Sequence, residues 1–150
     1  MSVGVANAAA IGTDEDKSTT IIQLVVAKNA PIRIKEINIG FHGSNPAQKG
    51  ALVTLVTQNG VGETAKLTPV KLNSDEGGTL KTTARVFNKR GEPTQVAEIR
   101  CWRLNPTLGN WKWEADMDSN MIGVRQDSRL GLVVQSDIQV VVTASIVFVE

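Results

Sequence analysis

The sequence predicts an all-β chain: an antiparallel β-sandwich of the jelly-roll type preceded by an extended N-terminal arm. Three observations carry this. The last thirteen residues, IQVVVTASIVFVE, place Ile138, Val140, Val142, Ala144, Ile146 and Phe148 at every second position, the period of a strand. The chain as a whole reads as eight to ten short strands with Gly, Pro, Asn and Asp turns between them, the rhythm of a sandwich or barrel. No window of about 11 residues carries apolar side chains at helical spacing. The final run also has Val141, Val147 and Val149 on its otherwise polar face, so it reads as central to its sheet and covered in part on both sides.

Residues 1–18 are rich in Ala, Gly and Asp and poor in large hydrophobes. They read as an arm outside the core, and residues 19–150 as the sandwich domain. Thr20 to Ala27 is the first expected strand. Lys28 to Pro31 forms a turn, and Pro31 enforces an extended residue before it. In Ile32 to Phe41 the apolar phase changes: Ile32 and Ile34 share one parity, while Ile37, Ile39 and Phe41 share the other. One inserted residue does this, so a β-bulge is expected at Lys35 or Glu36.

His42 to Pro46 is a loop, and Ala51 to Gln58 a strand ending at the Asn59-Gly60 turn signal. Gly60 to Gly62 is a flexible connection. Lys66 to Leu72 alternates, but Pro69 confines it to an edge or a bulge. Asn73 to Gly78 is a turn, Thr79 to Phe87 a strand and Asn88 to Pro93 a loop. Val96 to Leu104 alternates again, with Glu98, Arg100 and Trp102 expected on an outward face. Trp111 to Ala115, Met121 to Arg125 and Arg129 to Gln135 complete the set.

The totals exclude several classes. The 150 residues carry a net charge of +1, which supplies no field for nucleic acid or an anionic membrane. The cations are dispersed, with no stripe of interleaved aromatics. Apolar runs fall short of the ~20 residues of a membrane helix. The N-terminus lacks a basic region and soon reaches Asp14, Glu15 and Asp16, which argues against a signal peptide and for synthesis in the cytoplasm. The single cysteine, Cys101, allows no internal disulfide and reads as a small buried hydrophobe.

Candidate chemistry is sparse. The one histidine, His42, lies in a loop without a spaced nucleophile or orienting carboxylate. Asp116, Asp118 and Asn120, with Asp127 further on, offer oxygen ligands of the kind Ca²⁺ takes, but Met121 stands where a calcium loop wants Gly. They read as a solvated turn. No catalytic residue, metal or cofactor is expected. The three tryptophans carry most of the aromatic mass. They fit a core, a subunit interface or a ligand platform. Trp102, Trp111, Trp113, Arg100, Val141 and Val147 are the candidate contact residues.

The stretches APIRIKEINIGFHG, LNPTLGNWKWE and RLGLVVQSDIQVVVTASIVFVE give the chain from Thr19 onward a familiar layout. It resembles the trimeric jelly-roll decoration, or cement, proteins of tailed bacteriophage capsids. That resemblance implies a non-enzymatic homotrimer made in the host cytoplasm and placed on the virion surface. There it would bind the major capsid protein and reinforce the lattice, with the N-terminal arm clamping neighbouring capsomers. The alternative is a phage fibre-tip or carbohydrate-binding β-sandwich module using Trp111 and Trp113. A cupin-type enzyme would want several clustered histidines, and the chain has one.

Overall fold

In the computed structural model the described residues are 1–42, 50–60, 65–73, 78–86 and 92–150. The expected loops at 43–46 and 88–91, the connection at 61–62 and the turn at 74–77 lie outside them. The described residues form twelve strands: β1 (Val3–Gly12), β2 (Thr19–Val25), β3 (Ile32–His42), β4 (Ala51–Asn59), β5 (Ala65–Leu67), β6 (Val70–Lys71), β7 (Thr83–Val86), β8 (Thr94–Leu104), β9 (Asn110–Glu114), β10 (Ile122–Val124), β11 (Arg129–Gln135) and β12 (Val141–Val149). Helical structure among the described residues is limited to single 3₁₀ turns at Pro106–Leu108 and Asp118–Asn120.

Two antiparallel sheets result. The first has the order β10-β3-β12-β1-β6, with β9 beside β10 along the same edge of β3; the second has the order β5-β7-β2-β11-β4-β8. The long pairings are nested: β1 with β12, β2 with β11, β3 with β9, and β4 with β8. First strand pairs with last, second with next to last, and so inward, which is a jelly roll. The sheets bury a continuous core that includes Ile22, Leu24, Ile34, Ile37, Ile39, Leu55, Leu130, Leu132, Ile146 and Phe148. The final strand is central, as its sequence suggests, flanked by β1 and β3.

The N-terminal arm is a correction. Val3–Gly12 is a strand inside the first sheet, held between β12 and β6. Its inward positions are Gly4, Ala6 and Ala8, all buried. Gly4 must be small because Phe148 and Leu80 already fill the space: a Cβ there would come within 2.8 Å of the Phe148 ring and 2.7 Å of Leu80. A bulge between Ala8 and Ile11 restores the inward phase for Ile11, with Ala10 taking a left-handed backbone (φ 50°).

The bulge in β3 is where the phase change placed it. Val147 opposes Glu36 while Phe148 opposes Ile34, so Lys35 is the extra residue. Pro69 divides the expected Lys66–Leu72 strand more completely than foreseen. Without an N–H it cannot continue a ladder, and β5 and β6 on its two sides join edges of different sheets.

The chain ends are tied together by reciprocal backbone bonds between Ser2 and Glu150 (3.0 and 2.8 Å). The Glu150 carboxylate accepts from the backbone N–H of Lys81 (2.7 Å) and Thr82 (2.8 Å) and from the Thr82 hydroxyl (2.8 Å). Hydrogen bonds to a charged acceptor contribute about 1.5–3 kcal/mol each, less where solvent competes. Glu150→Ala should therefore lower stability by about 1.5–3 kcal/mol, read as a lower urea midpoint with an unchanged slope.

On the outer side of the second sheet, Gly131 leaves room for the Gln58 amide, which lies where a Cβ would stand. Gln58 accepts from Gln23 (3.0 Å) and donates to the Thr20 hydroxyl (2.9 Å), which in turn donates to Glu92 (2.6 Å). These buried dipoles pin β2 to β4 across β11.

Candidate contact face

The three tryptophans meet at the edge where β8 of one sheet faces β9 of the other. Trp102 lies 5.0 Å from Trp111 and 6.2 Å from Trp113 between ring centroids, with interplanar angles of 53° and 41°. All three are half-buried and pack on the core. The Arg100 guanidinium sits over Trp113, 5.5 Å from the ring centroid, a cation–π contact.

The outward face expected for Trp102 is thus corrected. It is paired with Val53 and Arg100 with Leu55, both inward-facing partners. The reason is a register shift: Arg100 opposes Leu55 and Glu98 opposes Val56, so Ile99 is an extra residue. A second shift follows at Val96. Ile99 and Trp102 both reach the core despite their opposite parity. Cys101, expected inside, is exposed. A hydrogen bond with Glu98 raises its pKa, which disfavours the reactive thiolate.

Val141 and Val147 lie elsewhere, on the outer face of the first sheet. Register aligns that face into rows. One row runs Val70, Val5, Val147, Glu36, Glu114 and another runs Val3, Val149, Arg33, Gly123. Leu72 lies beside Val3, to which its N–H donates (2.8 Å). Six aliphatic side chains from β1, β12 and the β6 edge therefore adjoin one another. Val70 is 58% exposed and Leu72 55%. Sequence reasoning found Val147 but missed Val3, Val5, Val70 and Leu72. The signal it lacked was the pairing of β1 with both β12 and β6.

The next rows are polar: Asn7, Ser145, Asn38, Lys112, then Thr143, Gly40, Asn110. Val141 and His42 are paired at the far end. Asn38 donates to Glu36 (2.6 Å) and to the Ser145 hydroxyl (3.0 Å). His42 Nε2 lies 2.7 Å from the Thr143 hydroxyl. Lys112 bridges Glu114 (2.8 Å) and Glu36 (3.5 Å). The hydrogen bond with Glu114 raises the Lys112 pKa, and that with Lys112 holds the Glu114 carboxyl below its usual value.

Asp118–Asn120, considered above for Ca²⁺, forms a 3₁₀ turn. Among the described residues no three His, Cys, Asp or Glu side chains gather closely enough to hold a metal ion. No helix among them is long and apolar enough to cross a membrane. The arrangement offers two kinds of surface, an aliphatic patch and a concavity that sets amides and hydroxyls among small apolar residues, on one face of one sheet. No protein-family model, curated protein or solved structure matches the chain.

Proposed function

We propose that this chain is a non-catalytic structural protein that works by contact: a homotrimeric decoration protein that binds the major capsid protein on the outside of a virion and reinforces the lattice. The aliphatic patch at Val70, Val5, Val147, Leu72 and Val3, backed by the buried Val149, is the observation that carries the contact reading. Aliphatic side chains gathered on an outer sheet face mark a surface that another protein covers. A copy of the same chain is the occupant we assign, consistent with the trimer that the resemblance of the sequence implies. The capsid partner rests on that resemblance.

Reinforcement would be mass action. A subunit that binds the assembled lattice and not the broken one lowers the free energy of the former, and three linked copies add avidity. The tryptophans fit a lesser role in this reading. Trp102 is turned against Trp111 and Trp113 at the sandwich edge, a stiffening of that edge.

Light scattering on the purified chain should give a trimer mass. Val147→Asp and Val70→Asp, each placing a charge within the patch, should yield monomers with an unchanged melting curve under dilute conditions. Particles decorated in vitro should lose occupancy of these variants at least tenfold. A wild-type monomer at micromolar concentration, or trimers unaffected by both substitutions, would remove the patch from the account.

A further inference from the structure

A concavity of about 680 Å³ lies on the outer face of the first sheet, over the polar rows and away from the aliphatic patch. That volume falls within the about 300–1,000 Å³ of small-molecule sites. Its floor is low because of Gly40: a Cβ there would stand 3.1 Å from Asn110 Oδ1. Around it stand the amides of Asn7, Asn38 and Asn110 and the hydroxyls of Thr143 and Ser145.

The side-chain amides of Asn7 and Asn110 make no hydrogen bond within the described residues and are exposed. Each can donate and accept at once. The charged wall residue, Lys112, is already held by two carboxylates, and His42 is engaged by Thr143.

From this we infer that the concavity is a binding site for a neutral oligosaccharide. The chemistry selects that class by elimination as well as by fit. An anion would want an unpaired cation, and a cation an unpaired carboxylate; the lining supplies neither. A nucleobase would want an aromatic face; Trp111 borders the concavity, but its ring packs on the core and against Trp102, on the other side of β9. A peptide added as a strand needs an open sheet edge; β12 and β3 along the floor are paired on both sides, and β9 pairs with β3 on the floor side, so its other edge faces away from the concavity. Paired hydroxyls on a sugar ring match the donor-plus-acceptor amides. Without a stacking aromatic, each site binds weakly, and several copies on one assembly raise the avidity. The inference does not depend on which particle, if any, the chain decorates.

The test is an amide-resolved NMR titration of the ¹⁵N-labelled full chain with maltotriose, mannotriose and triacetylchitotriose, and with trigalacturonate and inorganic phosphate as charged probes. At least one neutral trisaccharide should move the amide signals of Gly40, Asn110, Thr143 and Ser145, with saturation. Asn7→Ala and Asn110→Ala, both at exposed positions, should weaken that binding about fivefold each through loss of a hydrogen bond, with the melting temperature unchanged. Gly40→Leu should abolish it by filling the floor. Signals unmoved by every neutral trisaccharide, movement confined to other surfaces, tighter binding of a charged probe at the same residues, or affinities unchanged in both alanine variants would each overturn the assignment.

Discussion

A chain lacking residues 2–12 will not fold. An arm without a core could be removed with little change in the melting curve, but β1 is an interior strand. It fills the gap between β12 and β6. Its loss strips the ladder from Val3↔Val149 to Gly12↔Val141. It also exposes one side of β12 and uncovers the core beside Ala6, Ala8 and Ile11. The Ser2–Glu150 clasp and the contacts of β6 go with it. A domain of this size has about 5–15 kcal/mol of net stability. Removing a whole internal strand exceeds that, and the freed edge of β12 becomes a template for aggregation. Circular dichroism and a thermal melt of the truncated chain check this. A cooperative transition within a few degrees of the full-length value would mean that β1 contributes nothing to the fold.

Why β1 escapes a sequence reading is physical. Hydrophobic periodicity registers large side chains, and its inward positions are Gly4, Ala6 and Ala8. The smallness of Gly4 is complementary to Phe148, some 140 residues away, and no local window contains both. The bulge at Lys35 is the opposite case. There the extra residue reverses the parity of large isoleucines within one strand, so the local pattern records it. The bulge at Ile99 leaves no such trace. Val96 to Leu104 alternates regularly in sequence, and the shift exists only in its register with β4. Local alternation therefore puts Trp102 and Cys101 on the wrong sides. Pro69 was legible as a breaker, but the separation of β5 and β6 into two sheets is a property of the assembled edges. The contact face depends on register in the same way. Val147 stands out in the last strand, but its neighbours Val5 and Val70 become neighbours only once β1 and β6 are placed. The same holds for Asn7, Asn38 and Asn110, which three different strands bring to one concavity.

Phe148→Ala should be the most damaging single substitution, at about 3–5 kcal/mol. The side chain is fully buried. Its ring lies against Gly4 together with Leu80, on the inward side of the strand that both flanking strands grip. Truncation removes apolar contact and leaves a void that the surrounding sheets cannot close, because β1 and β3 are fixed by their ladders on either side of β12. For 150 residues this corresponds to a fall in melting temperature of about 6–20 °C. The site also predicts a coupling of definite sign. Gly4→Ala in the wild-type background forces a Cβ to within 2.8 Å of the ring and destabilises. In the Phe148→Ala background the ring clash is gone and the Leu80 tip, 2.7 Å from the new Cβ, has a void to shift into, so Gly4→Ala should cost less stability there than in the wild type. The neighbouring residue supplies the contrast. Val147 points to the opposite face, so Val147→Asp should change the mass of the assembly and leave the melting curve of the isolated chain in place. A Phe148→Ala chain that melts like wild type, or a Val147→Asp chain that loses as much stability as Phe148→Ala, would mean that the inner and outer faces of β12 have been exchanged.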